Sequence, residues 1–233
     1  MKRPYFRKAG ERGVSSFGWL HSKHSFSFGH YSDPEHMGFS VLRVINDDVV
    51  APKAGFDTHG HRDMEIISYV LEGAMEHRDN MGNQGVIRAG DIQRISAGTG
   101  ITHSECNHSE KNVLKFLQIW IEPRVPGIEP SYDQKTIVQK DSMTPVITPD
   151  GLGDSMEINQ DVSVYRVLLN EGEGLTLNTY ERSGYLHIID GAGKLSGVNV
   201  SSGDGVGSMN EDLKLETMNQ PLSALWFDLP AIC

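Results

Sequence analysis

The punctuation of the apolar runs constrains this chain most. SVLRVIN, EIISYVLEG, QGVIRAGD, KFLQIWIEP, SVYRVLL, GLTLNTY, YLHIIDG and SALWFDLP are all short, and Gly, Asp, Asn or Pro breaks them apart. No long stretch carries the 3.6-residue apolar period of an amphipathic helix, so short strands are expected with few short helices. Asp79-Asn80-Met81-Gly82-Asn83 lies between two such runs and reads as a hairpin turn. The expected class is all-β, a sandwich or barrel.

The runs also repeat. Tyr69-Val70-Leu71-Glu72-Gly73 is followed 17 residues after Gly73 by Gly90-Asp91, and His187-Ile188-Ile189-Asp190-Gly191 is followed 12 residues after Gly191 by Gly203-Asp204. Each copy closes on an apolar strand ending in an acid and a proline, Gln118–Pro123 and Leu225–Pro230. Two tandem antiparallel barrels follow, 1–125 and 126–233, with the proline-rich 123–130 as the linker. At 233 residues the chain has room for two such domains.

Composition narrows the setting. Lys and Arg number 21 against 31 Asp and Glu, a net charge of −10; residues 131–233 hold 6 and 15 of these, a balance of −9. That half would repel a phosphate backbone, so no direct nucleic-acid binding is expected; the acidity reads as a solvated surface, or as a face for a basic protein partner. No apolar run approaches the roughly 18 residues that cross a bilayer, and no apolar core follows the basic start MKRPYFRKAGERG as in a secretory signal. Two cysteines, Cys106 and Cys233, make no disulfide framework. Together these favour the cytoplasm, with no membrane partner.

Chemistry concentrates in the first half, which holds nine of the ten histidines within its first 108 residues. His59 and His61 stand two apart, as do His103 and Glu105, so on strands each pair shares a face. Two such pairs on neighbouring barrel strands can aim four ligands at one interior point. Imidazole with carboxylate suits Fe, Mn, Ni, Cu or Zn, and a set without cysteine argues against a structural zinc site. Three imidazoles and one carboxylate leave about two octahedral positions open.

These residues sit in a larger pattern. Gly55…His59-Gly60-His61-x3-Glu65…Gly73, then Gly90-Asp91…Gly100-x2-His103-x3-Asn107, resembles the two motifs of the cupin superfamily. HRDMEIISYVLEG and SAGTGITHSE, with Phe17–Leu20, His24–Phe28 and Met37-Gly38-Phe39…Leu42-Arg43-Val44, resemble the pirin family, chiefly its bacterial members that oxidise quercetin. The likeness covers most of 10–125 and continues more loosely through the second barrel.

The resemblance implies a double cupin (bicupin) of jelly-roll type. Its implied metal ligands are His59, His61, His103 and Glu105, around one divalent ion, Fe(II) foremost, with Mn, Ni, Cu or Zn as alternatives. Typical cupins take their fourth ligand from the first motif, here Glu65; the pirin arrangement takes Glu105, leaving Glu65 to orient a histidine or to sit in a structural turn. The implied activity is a quercetin 2,3-dioxygenase type reaction on a flavonol and dioxygen, with Glu105 as general base. Some pirins are regulators, so a metal- or redox-sensing module that binds a protein partner is the competing function.

Aligning Gly191 with Gly73 places Leu177 and Thr179 where His59 and His61 stand, so the second barrel reads as a degenerate copy without metal ligands. His187 aligns with Tyr69 and is expected in a strand. Cys106 is expected to pack on the face opposite Glu105, and His77 and His108 to lie on the surface. Phe26, Phe28 and Phe39 read as core packing or as the wall of an aromatic pocket. Arg43 and His24 carry either pocket or structural roles.

Overall fold

The computed structural model describes residues 4–232; Cys233 and the first three residues of the basic start lie outside them. The described chain divides into two compact units. One, rich in histidine, comprises 13–137 with 158–160; the other, acidic, comprises 4–12, 138–157 and 161–232.

The strands in chain order begin with β1 (Tyr5–Arg7), β2 (Gly13–Ser16), β3 (Leu20–His24), β4 (Leu42–Val50), β5 (Gly55–His61) and β6 (Glu65–Glu72). They continue through β7 (Ala74–Asp79), β8 (Gln84–Arg88), β9 (Asp91–Ser96), β10 (Ile101–Asn107), β11 (Leu114–Ile121) and β12 (Ser131–Thr136). The remainder are β13 (Met143–Thr148), β14 (Met156–Glu157), β15 (Ser163–Leu169), β16 (Gly174–Leu177) and β17 (Ser183–Asp190). Last come β18 (Ala192–Leu195), β19 (Val198–Ser201), β20 (Gly205–Met209), β21 (Leu213–Thr217) and β22 (Leu222–Leu229). One 3₁₀ turn, Ala9–Glu11, is the only helical element among the described residues, and no helix of theirs is long and apolar enough to cross a membrane.

Each unit pairs a seven-stranded sheet with a four-stranded one. The histidine-rich unit has β12-β9-β6-β11-β4-β3-β2 and β5-β10-β7-β8; the acidic unit has β1-β20-β17-β22-β15-β13-β14 and β16-β21-β18-β19. Apart from the short parallel pair β13–β14, every ladder is antiparallel. This is the expected all-β double barrel. Central β6 reads as a nearly continuous apolar run because both its faces are covered, whereas β10 alternates buried with more exposed residues.

The core lies between the sheets. Val70 and Phe116 of the larger sheet meet Met75 and Ile87 of the smaller in one unit; Leu186 and Trp226 meet Leu195 and Leu215 in the other.

The repeat recurs in backbone detail. Gly73 and Gly191 turn their hairpins at φ +82° and +93°, where a Cβ is strained. Gly90 N–H donates to Val70 O (2.9 Å) as Gly203 N–H donates to Ile188 O (2.8 Å). The carboxylates of Asp91 and Asp204 each accept from the backbone three residues earlier, Arg88 (2.9 Å) and Ser201 (3.0 Å).

The unit boundaries differ from the expected 1–125 and 126–233. β1 leaves the first unit and pairs with β20 (Tyr5↔Gly207), anchored where Ala9 N–H (2.8 Å) and Lys8 Nζ (3.1 Å) meet Asp204. The segment after the expected linker turns back instead: β12 adds to β9 (Ser131↔Ser96), extending the histidine-rich unit to Ile137. Strand pairing at a sheet edge is long-range and leaves no local mark in the sequence.

His187 occupies β17 and is 1% exposed. Burial, and then the Arg12 charge, push its imidazole down to about 3. The unfolded chain therefore binds one proton more than the folded one between about pH 6.5 and pH 3, so stability falls on acidification through that window, by about 1.4 kcal/mol per pH unit. His187→Leu is expected to reduce the proton uptake on unfolding near pH 5 by about one. Denaturant titrations at pH 7 and pH 5 that show equal acid sensitivity in variant and parent would rule this out.

Candidate metal centre

β5 and β10 are neighbours in the four-stranded sheet, and His103 pairs directly with His59 while Ile101 pairs with His61. The i, i+2 spacing then turns all three rings to one side. Ring centroids lie 4.6 Å (His59–His103), 4.7 Å (His59–His61) and 4.9 Å (His61–His103) apart, and the three ligand atoms fall within 4.8 Å of one another. The register slips between His103 and Glu105, because Glu105 pairs with Phe56, three residues from His59. That bulge leaves Asp57 and Thr58 both exposed and re-aims the strand. His59 Nδ1–H donates to the Asp57 carbonyl (2.8 Å), which leaves Nε2 with its lone pair bare.

The electrostatics suit neutral ligands. Burial, then the His103 and His59 rings, hold His61 down at about 4; burial, then His59 and His77, hold His103 at about 3. At neutral pH both offer lone pairs.

Glu105 is buried on the same face of β10 as His103. Its Oε1 accepts from Ser68 Oγ (3.0 Å) and Gln93 Nε2 (2.9 Å), its Oε2 from Gln118 Nε2 (3.5 Å). Its carboxylate groups within 4.8 Å with His103 and His77, a set distinct from the three-histidine cluster. His77, expected on the surface, is fully buried on β7, next to β10; its Nε2 meets Asp79 Oδ2 at 3.3 Å and its ring stacks on Tyr132 at 4.6 Å. His108 is exposed.

The floor facing the cluster is a buried polar row. Gln93, Ser68, Gln118, Asn46 and His24 stand directly opposite one another across β9, β6, β11, β4 and β3. The corresponding row of the acidic unit is Val206, Leu186, Trp226 and Tyr165. There Leu213 pairs with Leu177 as His103 pairs with His59, and Thr179 is buried. Residue spacing did not single out Ser68, Gln93, Gln118 or His77. The signal for Ser68 and Gln118 was one polar residue inside an otherwise apolar run, EIISYV and KFLQIWI; Gln93 in DIQRIS and His77 in AMEHRD had none.

Beside Gln118 a cavity of about 280 Å³ is walled by Phe17, Trp19, Phe28 and Phe56 and floored by His24, Asn46 and Asp48. Burial pushes the Asp48 carboxyl up to about 7, against the pull of the Ser22 hydrogen bond. A larger hollow of about 690 Å³ opens on the acidic unit around Lys8 and Lys194, but neither ligand cluster lies in it. No ligand residue lines the smaller cavity either, but its Gln118 joins it to the cluster, Nε2 donating to Glu105 Oε2 (3.5 Å).

The remaining residues find structural roles. Glu65, buried at the start of β6, accepts from Ser96 Oγ (2.7 Å) and Asn159 N (3.3 Å) and belongs to neither ligand group; burial raises its carboxyl. His24 bridges Asn46 Oδ1 (2.7 Å) and Ser15 Oγ (2.9 Å) at the cavity floor. Arg43 donates to the Met37 carbonyl and pairs with Glu122 at 3.4 Å. Phe26 and Phe39 are core, whereas Phe28 walls the cavity and meets Trp120 edge-on at 5.3 Å. Cys106 is half-buried, and burial raises its thiol.

The donor set fits a divalent cation. His61 Nε2 and both ring nitrogens of His103 are buried without a hydrogen-bond partner among the described residues, a penalty of about 1–3 kcal/mol each when nothing accepts them.

Comparison with known proteins gives a consistent result. A family model described as Pirin matches residues 6–121, and one described as Quercetinase C-terminal cupin domain matches 145–229. The quercetin 2,3-dioxygenase of Escherichia coli K12 is 43% identical over 229 residues, 98% of this chain and 99% of that protein. A pirin-like protein of Caulobacter vibrioides is 42% identical over 204 residues, 85% of this chain and 88% of its own length. Among solved structures, YhhW from Escherichia coli superposes with a TM-score of 0.96 at 43% identity, covering 99% of each chain. Bacterial pirin YhhW in complex with nickel(II), from the same organism, gives 0.94 at 42% identity, covering 99% of this chain and 100% of that one.

Proposed function

This chain belongs to the pirin family, and from that premise we propose that it is a flavonol 2,3-dioxygenase of the quercetinase type. It works with one divalent cation, iron(II), held by His59, His61, His103 and Glu105. The observation that carries this reading is the convergence of three imidazoles, of which His61 Nε2 and both His103 nitrogens are buried without a partner among the described residues. It stands in a chain similar over nearly its whole length to a protein named quercetin 2,3-dioxygenase, and to a pirin solved with nickel(II). Imidazole and carboxylate donors suit iron, and equally Mn, Ni, Cu or Zn; elemental analysis of protein purified without added metal decides among them. When bound, such a cation supplies a Lewis acid that stabilises an enolate and orders dioxygen beside it.

The chain's own residues do the rest. Glu105 takes the proton of the flavonol hydroxyl as general base, through Oε2, whose contact to Gln118 is the long one. Ser68 and Gln93 hold Oε1 and so orient the carboxylate. Trp19, Phe28 and Phe56 receive the flat aromatic rings and exclude water.

Anaerobic loading with Fe(II), addition of quercetin and then admission of air is expected to erase the flavonol absorbance band over many turnovers. A band that persists would remove the dioxygenase reading and leave the metal-sensing module, whose partner would dock on the acidic half.

A further inference from the structure

The histidine cluster does not exhaust the metal-ligating side chains of this pocket. His77, His103 and Glu105 form a second group, all three buried, with ligand atoms within 4.8 Å of one another. Each comes from the same small sheet: Glu105 pairs with His77, and His103 with Asp79, along the β10–β7 ladder. Asp79 is itself held in place, accepting from Met81 N (2.9 Å), Asn83 N (2.9 Å) and Asn83 Nδ2 (2.9 Å) in the hairpin turn. A carboxylate anchored in this way, 3.3 Å from His77 Nε2, accepts the hydrogen bond of Nε2–H and so leaves Nδ1 as the lone-pair atom. His77 Nδ1 is buried and has no hydrogen-bond partner among the described residues. Tyr132 stacks on the ring at an interplanar angle of 20° and fixes its plane.

The structure assigns to His77 the role of a further metal ligand: His77 Nδ1, His103 and the Glu105 carboxylate make an inner seat for a divalent cation. This inner seat shares His103 and Glu105 with the four-ligand site proposed above, whose outer part is His59, His61 and His103. Because the two seats share one imidazole, a single cation occupies one or the other. The inner seat takes the carboxylate where Ser68 and Gln93 already hold it. Its cation is wrapped by buried groups, whereas the outer seat is built from the more accessible rings of His59 and His61. The inference rests on the metal-centre reading above and adds a position to it.

Co(II) added to the full-length protein tests it, with affinity read by equilibrium dialysis and coordination by visible absorption. His59→Ala/His61→Ala, which lacks the outer pair, is expected to keep one equivalent of Co(II). Adding His77→Phe, which preserves the stacking ring, is expected to weaken that binding at least about 10-fold, the size of effect seen when a metal-orienting group is lost. A doubly substituted protein that is folded by near-ultraviolet circular dichroism yet binds no Co(II), while the parent does, overturns the inner seat and leaves the outer one standing. Equal affinity with His or Phe at position 77 overturns it as well. A parent that binds no Co(II) sinks both seats. If the alanine pair fails to fold, His59→Gln/His61→Gln carries the same comparison.

Discussion

His103→Ala is expected to strip the protein of its metal and to end flavonol turnover together. His103 is the one imidazole common to both ligand groups, 1% exposed, with its ring within 5.4 Å of those of His59, His61 and His77. The residues beside it on β10, Thr102 and Ser104, are turned to the other side of the strand and offer no donor in its place. Loss of a group that merely orients a metal ligand costs about 10- to 100-fold; loss of the ligand itself is expected to reach at least the upper end in both metal affinity and turnover. The fold is expected to survive, because the substitution also removes two buried nitrogens that find no protein partner. Metal content by elemental analysis, turnover of quercetin and the thermal midpoint of the metal-stripped protein give three readings. Unchanged metal stoichiometry with intact turnover would refute the assignment of His103.

Gly55→Ala is expected to damage the same centre from the backbone side. Gly55 opens β5 opposite Cys106, and a methyl group there would meet the Glu105 carbonyl oxygen at 2.4 Å and Cys106 Cα at 2.5 Å. Neither atom belongs to a side chain that can swing away, so β5 and β10 must part. Overpacking of this kind costs about 2–3 kcal/mol, which lowers the thermal midpoint by roughly 5–10 °C in a chain of this size. The same displacement draws His59 away from His103, so Co(II) affinity falls with stability. Gly60, between the two histidines, is the internal control. A methyl there meets nothing closer than 3.7 Å, and Gly60→Ala is expected to leave both quantities nearly unchanged. Gly55 and Gly60 variants that prove equally stable and bind Co(II) equally well would show that the spacing of β5 and β10 does not position His59.

Much of this architecture could be read before any coordinates. EIISYVLEG and KFLQIWIEP became the paired central strands β6 and β11, and YLHIIDG and SALWFDLP became their counterparts β17 and β22. The hairpin at Asp79–Asn83 formed for the reason its residues suggest: an aspartate that caps its own turn, with Gly82 at φ +92°. Leu177 and Thr179, the positions aligned with His59 and His61, turned out buried.

Other features had no local signature. Sequence placed His77 on the surface because polar residues flank it, yet β7 lies between β10 and β8, and that neighbourhood buries the ring against Tyr132, an edge-strand residue 55 positions away. The transfer of β1 to β20 and of β12 to β9 likewise moved both expected domain boundaries.

The division follows from the range of the forces involved. Which face of a strand a side chain occupies depends on its neighbours two residues away, so the paired histidines, the turns and the repeat were written in the order of residues. Which groups share a pocket depends on the register between strands far apart in the chain. Register set Glu105 against Ser68, Gln93 and Gln118, joined His77 to His103, and so grouped that carboxylate with a fourth imidazole.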